Sequence, residues 1–275
     1  MSDLTTTPEK KITPLSRLKG LMGRDDVKSR FTEVLGSKAP AFLASVLSSV
    51  NANKYLQECE PMSVISAASI AAAMDLPVSP GLGFAHIVPY KGVAQFQIGW
   101  KGIVQLAMRS GQYKTINLTP VYEGQVVTHN QFTGEMTFRK EKKSELIEGY
   151  LLYFKLLNGY EKYFYMTQAE AEAHGNRYSA SYNNKNSQWQ TNFEAMALKT
   201  VAKLGLSKYG ILSIDMQKAV EYDEAEVTDD GPRYIDAKTV NEPAPPEKKQ
   251  TRLEALASAQ PVMEAEVKQH EEAPI

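Results

Sequence analysis

Residues 79–114, SPGLGFAHIVPYKGVAQFQIGWKGIVQLAMRSGQYK, contain the change of hydrophobic period that decides the fold. Residues 84–90 and 93–98 are two short runs of strand-forming residues joined by a lysine-glycine pair, which predicts a β-hairpin. In the second run apolar residues alternate with glutamines, so one strand face is apolar and the other is polar. After the hairpin the apolar residues recur every three or four positions, which predicts a helix ending near Gly111.

The polar face of this predicted helix carries Lys101, Gln105 and Arg109. Lys91 lies in the hairpin turn before it, and Lys114 follows it. Cations beside an uncharged polar strand could follow a phosphate backbone without reading bases. An ordinary hydrated surface explains the same pattern, because most charged helix faces are simply solvated.

The remaining chain predicts an α+β fold, an antiparallel β-sheet with hairpins that is flanked by helices and preceded by N-terminal helices. Outside 79–114 the predicted helices are 25–37, 40–56, 62–74, 188–207 and 214–222, and the predicted strands lie within 115–123, 125–140 and 147–167. A short helix is also predicted after Thr167, whose hydroxyl is a suitable N-cap.

Charge divides the chain into a basic body and an acidic tail. Residues 1–220 carry 25 Lys and Arg against 18 Asp and Glu, whereas residues 221–275 carry 6 against 14. We therefore predict a flexible N-terminal arm at 1–24, a folded core at 25–222 and a mostly disordered acidic tail at 223–275. A basic body suits a nucleic-acid partner, although an acidic tail can also serve solubility alone.

The number of cysteines and the length of the apolar segments indicate the cellular compartment that is expected. Cys59 is the single cysteine, so no internal disulfide can form, and a reducing cytoplasm is expected. The N-terminus has no apolar signal core. Residues 62–74 are too short and too rich in serine to span a bilayer. Neither secretion nor membrane insertion is expected.

The hairpin predicted at 125–140 runs into the densest basic cluster of the body, which includes Arg139, Lys142 and Lys143. These cations could meet phosphates. Lysines at the edge of a sheet also prevent unwanted strand pairing, so a purely protective role explains them equally well.

A polar loop at 174–187 combines Arg177, Tyr178 and Lys185. Single-stranded nucleic acid requires cations for its phosphates and flat rings for its bases, so the loop has a suitable composition. A flexible connector is the alternative.

The helix predicted at 188–207 has an apolar stripe and a basic flank. Trp189 begins the stripe and is expected to be a core anchor rather than a platform for bases. Lys199 and Lys203 are one turn apart and Lys208 lies beyond them, which predicts a row of cations that follows a phosphate backbone.

Two groups of residues resemble the RecT family of phage recombinases. The first group comprises Gly81-Leu82-Gly83-x-Ala85-x-x-x-Pro89-Tyr90, Gln97-Ile98-Gly99-Trp100-Lys101-Gly102 and Ala107-x-Arg109-Ser110-Gly111-Gln112. The second is a Trp-x-x-x-aromatic-Glu-x-Met-Ala-x-Lys-Thr pattern that begins at Trp189. The resemblance covers roughly residues 42–220.

This resemblance implies an ATP-independent protein that anneals single strands of DNA in homologous recombination and DNA repair. The implied partners are single-stranded DNA, annealed duplex DNA and further copies of the chain in a ring or helical filament. The acidic tail would meet a phage exonuclease or the host single-strand-binding protein. No cofactor is implied, with Mg²⁺ present only as a counterion of the DNA. The resemblance also favours the lysines of the last long helix as the cations that contact the DNA backbone. A Lys199→Ala plus Lys203→Ala variant is therefore expected to fold normally and bind DNA less tightly.

Catalytic motifs are scarce in the sequence. No glycine is followed by lysine, so a Walker A loop cannot be drawn. The four histidines are scattered and unpaired with cysteines, which argues against structural zinc. The enzymatic alternative is a metal-dependent nuclease built from Glu123 and Glu141-x-Lys143. Two non-enzymatic alternatives are a protein that protects single-stranded DNA without annealing it and a structural phage protein whose basic face is incidental. We assign no catalytic residue and no metal ligand.

Overall fold

The computed structural model describes residues 13–223, 225–228 and 231–233 of the chain. The helices in this part are α1 (Pro14–Gly23), α2 (Asp25–Leu35), α3 (Ala39–Ala52), α4 (Lys54–Gln57), α5 (Pro61–Ala73), α6 (Trp100–Arg109), α7 (Gln168–Tyr178), α8 (Gln188–Thr191), α9 (Phe193–Tyr209) and α10 (Ile214–Glu221). The strands are β1 (Ala85–Tyr90), β2 (Val93–Ile98), β3 (Tyr113–Tyr122), β4 (Val126–His129), β5 (Met136–Phe138), β6 (Ile147–Leu156), β7 (Glu161–Thr167), β8 (Glu226–Thr228) and β9 (Gly231–Arg233). The α+β class with N-terminal helices is confirmed. None of the helices described here is both long enough and apolar enough to cross a bilayer.

Helix α1 corrects the prediction that residues 1–24 form a flexible arm. The Thr13 hydroxyl accepts a hydrogen bond from the amide of Ser16 at 3.2 Å, and Pro14 stands in the first turn. Leu18 and Met22 are buried, and the helix packs against α5. A ten-residue helix is marginal in water without such packing, so its local sequence was a poor guide. Residues 1–12 lie outside the described part.

The predicted β1–β2 hairpin is confirmed, with Tyr90 opposite Val93 and a two-residue turn between them. The turn residues Lys91 and Gly92 have φ angles of +49° and +80°. Positive φ at both central positions is the requirement of a type I′ turn, whose twist matches that of the two strands. The hairpin is therefore specified locally.

Two glycines allow the base of this hairpin to pack on the start of α6. A Cβ atom on Gly99 would collide with the carbonyl oxygen of Gly83. A Cβ atom on Gly102 would collide in the same way with the carbonyl oxygen of Phe84. Two of the glycines that carry the family resemblance, Gly99 and Gly102, are thus required by close backbone packing.

The main sheet is three-stranded and antiparallel, in the order β3-β6-β7. On one face, here called the α9 face, Gly205 of α9 lies against Leu152 and Phe164. On the other, the hairpin face, Met136 of the β4–β5 hairpin packs with Leu151. Successive residues of a strand point to opposite faces of the sheet. Leu151 therefore belongs to the hairpin face and Leu152 to the α9 face.

The last elements extend the folded body past residue 222, where the acidic tail was predicted to begin. Asp223 and Ala225 are buried. Strands β8 and β9 pair with each other, and β8 contacts β2 and α5. The remainder of the predicted tail, residues 234–275, lies outside the described residues.

Candidate nucleic-acid interface

Helix α9 carries three of the predicted site residues, Lys199, Lys203 and Lys208, in two different environments. Its first half faces α7 and the segment after α10, and its last turn lies beside β7. The sequence builds this helix locally from good helix formers, while small residues such as Ala197, Ala202 and Gly205 let it pack closely on the sheet. The environment of each lysine depends on distant segments.

Lys199 and Lys203 both bind the carboxylate of Asp223, and we call this group the Asp223 network. Lys199 Nζ donates to Oδ1 at 3.0 Å and Lys203 Nζ donates to Oδ2 at 2.8 Å. The amide of Ile98 at the end of β2 also donates to Oδ1, at 3.1 Å. The side chain of Asp223 is completely buried, that of Lys199 is 7% exposed and that of Lys203 is 31% exposed.

The electrostatics of the network are those of a buried, charge-balanced contact. Burial by itself raises the pKa of Asp223, but Lys199 and Lys203 together outweigh burial and hold the pKa below its ordinary value. The pKa of the nearby His86 is lowered, first by burial and then by the charge of Lys199.

This geometry corrects the prediction of an open row formed by Lys199 and Lys203. Their ammonium groups hold a buried carboxylate, so they are structural groups first. A variant that lacks both lysines would leave Asp223 buried without a cation, which is costly. We therefore expect Lys199→Ala plus Lys203→Ala to be destabilised rather than to fold normally.

A pocket of about 520 Å³ opens between α7 and α9. Its walls include Tyr178, Trp189 and Leu204, and its polar lining includes Lys203 and Asp223. Trp189 is 6% exposed, which confirms its prediction as a core anchor, whereas Tyr178 is 54% exposed. The structure thus brings the polar loop and the α9 lysines, which are distant in sequence, to one site.

Arg177 and Lys185 belong to the same region as this pocket. The guanidinium of Arg177 lies 5.3 Å from the centre of the Tyr178 ring. Lys185 is exposed on the loop, which is held by consecutive turns and by a 2.8 Å hydrogen bond from Gln190 Nε2 to the carbonyl of Tyr182. The loop is therefore a shaped surface that leads to the pocket.

The last turn of α9 forms a second site, the Tyr209 cluster, made of Tyr209, Lys208 and Lys162. The Nζ atoms of Lys162 and Lys208 lie 4.8 and 5.3 Å from the centre of the Tyr209 ring. In the described part of the chain neither ammonium group pairs with a carboxylate. Lys208 was predicted; Lys162 and Tyr209 were missed.

One signal in the sequence could have identified Lys162. It shares a face of β7 with Phe164 and Met166, so it is a lone cation on an apolar strand face. At the edge of the sheet its long side chain reaches past the apolar layer to Tyr209, and its ammonium group also donates to the carbonyl of Thr133 at 3.5 Å.

The cations of the central stretch are dispersed. Arg109 donates to the carbonyl oxygens of Met74 and Asp75 at 2.7 and 2.9 Å, so it ties α6 to the end of α5.

Lys101 lies at the other end of α6, over the ring of Trp100 at 5.7 Å. Gln105 is half-buried between them, Lys91 lies over Tyr90 in the hairpin turn, and Lys114 is exposed on β3. Their role in binding stays a prediction.

The basic cluster follows the β4–β5 hairpin, in the connection between β5 and β6. Lys142 pairs with Glu145 at 2.5 Å and lies 4.5 Å from the centre of the Tyr122 ring. Lys143 packs its aliphatic chain near Gly124, and Arg139 is exposed. The role of these cations in DNA binding stays a prediction.

The carboxylates of the nuclease hypothesis lie at the base of the same hairpin. Glu123 accepts a hydrogen bond from the hydroxyl of Ser144 at 2.8 Å, and Glu141 is exposed. Within the described ranges no group of three or more His, Cys, Asp or Glu side chains is placed to hold a metal ion.

The amino-acid sequence is similar to those of known proteins. A protein of Bacillus subtilis (strain 168), Uncharacterized protein YqaK, is 45% identical over 246 residues, which cover 89% of this chain and 85% of that protein. Protein RecT of Escherichia coli (strain K12) is 30% identical over 181 residues, or 62% of this chain and 66% of that protein. The model of the RecT family matches residues 40–240. The chain therefore belongs to the RecT family.

Proposed function

We propose that this protein binds single-stranded DNA along the outer side of α9 and anneals it to a complementary strand without using ATP. Membership of the RecT family supports an annealing role in recombination. The observation that carries the location is the Tyr209 cluster, in which two ammonium groups flank one aromatic ring. No carboxylate of the described residues neutralises them.

The Tyr209 cluster and the α7–α9 pocket lie along one side of α9. Leu204 lines the pocket, and Lys208 stands four residues later, which places it one turn further on the same side of the helix. A strand that follows this side would meet cations at Lys203, Lys208 and Lys162. It would also meet the rings of Tyr178 and Tyr209. Cations for phosphates combined with rings for bases are the composition of single-strand-binding surfaces.

Annealing follows from this type of binding. When lysines neutralise the phosphates of one strand, the repulsion of a second strand falls. Bases whose pairing edges remain exposed can then test the second strand for complementarity. Base pairing supplies the specificity, so the protein needs few contacts to base edges and no nucleotide fuel.

The proposed assembly extends this surface beyond one protomer. Copies of the chain would stand side by side, in a ring or a helical filament, so that their α9 surfaces join. The remainder of the predicted acidic tail, residues 234–275, would bind a phage exonuclease or the host single-strand-binding protein. The site of action would be the cytoplasm, with Mg²⁺ acting only as a counterion.

The salt dependence of binding tests the location of the surface. We compare the wild type with a Lys162→Gln plus Lys208→Gln variant, using fluorescence anisotropy of a labelled single strand at several salt concentrations. Each phosphate neutralised on a single strand contributes about 0.7 to the log–log slope, so the variant should lose about 1.4 of the slope. The matched control is Lys28→Gln plus Lys54→Gln, which removes two exposed lysines of α2 and α4. An equal slope in both variants would place the strand elsewhere.

Annealing itself is measured with two complementary oligonucleotides that carry a donor and an acceptor dye. The wild type should accelerate pairing in the presence of EDTA and without ATP. Binding without accelerated pairing would identify a protective single-strand binder. Shortening of the strands when Mg²⁺ is added would favour the nuclease alternative at Glu123.

A further inference from the structure

We infer that the α7–α9 pocket receives one unstacked nucleobase of the bound single strand. This inference rests on the proposed function and assigns a specific task to a cavity of about 520 Å³. That volume lies within the range of about 300–1,000 Å³ that is common for pockets of small ligands. A nucleobase is flat, aromatic and uncharged, and the negative charge of the strand lies on the phosphates of its backbone.

The walls of the pocket match the faces of such a ring. Tyr178 at the end of α7 lines the cavity and is 54% exposed, and the centre of its ring lies 4.6 Å from that of His174. Trp189 and Leu204 supply further apolar surface. Gly175 lets these parts come together, since a Cβ atom there would lie 2.8 and 2.9 Å from ring atoms of Tyr182 and Trp189. The aromatic wall is therefore preformed by close packing.

The polar part of the pocket matches the edge of a base. Lys203 lines the cavity and supplies donors, because its side chain is 31% exposed, whereas the Asp223 carboxylate is buried. Their 2.8 Å contact fixes the ammonium group before a ligand arrives. A fixed donor opposite an aromatic wall favours a heteroaromatic ring, whose edge carries acceptors, over the aliphatic side chain of a partner protein.

The charge around the mouth of the pocket fits the phosphates on either side of the captured base. Arg177 lies over Tyr178, and Lys203 is partly exposed. An anionic strand is therefore attracted to the mouth, while a purely apolar ligand would leave these cations unused.

The test removes the bases from the DNA strand and the aromatic ring from the protein, first separately and then together. Affinities are measured by anisotropy for a normal strand and for a strand of the same length that has deoxyribose phosphates without bases. The proteins are the wild type, Tyr178→Ala, Tyr178→Phe and the control Tyr55→Ala, which removes an exposed tyrosine of α4. Tyr178 is largely exposed, so its replacement leaves the core intact.

We expect the wild type, Tyr178→Phe and Tyr55→Ala to prefer the normal strand over the abasic strand by the same factor. Tyr178→Ala should reduce this preference by at least about fivefold, because stacking one base on an aromatic side chain changes binding by roughly that much or more. Normal annealing with an undiminished preference in Tyr178→Ala would overturn the pocket and leave the proposed function standing. Absence of any DNA binding by the wild type would overturn both.

Leu204→Trp provides an independent variant, because a larger side chain at this exposed position fills the pocket while Tyr178 itself is unchanged. It should also reduce the preference for the normal strand, while the salt dependence of abasic-strand binding remains that of the wild type. A preference equal to that of the wild type would contradict the proposed occupancy.

Discussion

The two halves of α9 present lysines in opposite situations. Lys199 and Lys203 are held by a buried carboxylate, whereas Lys208 shares an aromatic ring with Lys162 and meets no carboxylate in the described residues. In the sequence all four lysines look alike, because each is a cation beside apolar residues of the same helix or strand. The comparison shows that a basic flank of one helix can be divided between fold stability and ligand binding.

The largest effect is expected from Asp223→Ala, which removes the shared partner of two lysines. Lys199 would remain buried without its carboxylate, and loss of one partner from a buried ion pair costs about 3–5 kcal/mol. Urea unfolding measures this free energy. Glu145→Ala, which breaks the exposed pair with Lys142, is the control and should cost about 1 kcal/mol or less. Equal losses in both variants would show that the Asp223 network does not stabilise the fold.

A smaller difference is expected between the two lysines of the network. Lys199→Met should cost about 1–3 kcal/mol, the range for a buried polar group that loses one partner. Lys203→Met should cost less, since the ammonium of Lys203 is partly solvated. The same urea experiment ranks the two variants. The reverse order would mean that burial does not determine the contribution of each lysine.

The dependence of stability on pH sharpens the comparison further. The pKa of Asp223 is lower in the folded protein than its ordinary value of 3.8. Its ionised form therefore stabilises the fold at every pH above that value, and this contribution is lost as the pH falls below 3.8 and through the lower pKa of the folded protein. We expect the gap in unfolding free energy between the wild type and Asp223→Asn to be constant above about pH 5 and to shrink below it. A gap that grows on acidification would contradict this assignment.

The smallest effect on stability is expected at the other end of the helix. Lys162→Gln plus Lys208→Gln should change the free energy of unfolding by only about 0.5 kcal/mol, as is usual for surface residues outside buried networks. The thermal midpoint measures this, with the wild type as the reference. A large destabilisation would assign the Tyr209 cluster to the fold rather than to DNA binding.

Much of the fold could be predicted because its signals are local. The Lys91-Gly92 turn, the alternation in β2 and the capping box of Thr167 with Glu170 each involve residues a few positions apart. The structure confirms the elements that these signals predict. Helix α1 was missed because its stability comes from packing against α5, which no local pattern reveals.

The candidate site was predicted less completely. Tyr178, Lys203 and Lys208 lie along one side of α9, as a binding surface requires, yet Arg109 binds backbone carbonyls and Lys142 pairs with Glu145. Residue type and spacing identify a cation. They do not show which carbonyl or carboxylate it meets in the folded chain.

Asp223 gives the physical reason for this difference. It lies 24 residues from Lys199 and 125 residues from Ile98, yet its carboxylate binds both. Hydrophobic period and turn chemistry act over a few residues, so the helices, the hairpins and the family likeness follow from the chain read in order. Whether a lysine stabilises the core or remains available to a phosphate depends on groups that meet only when distant segments pack together.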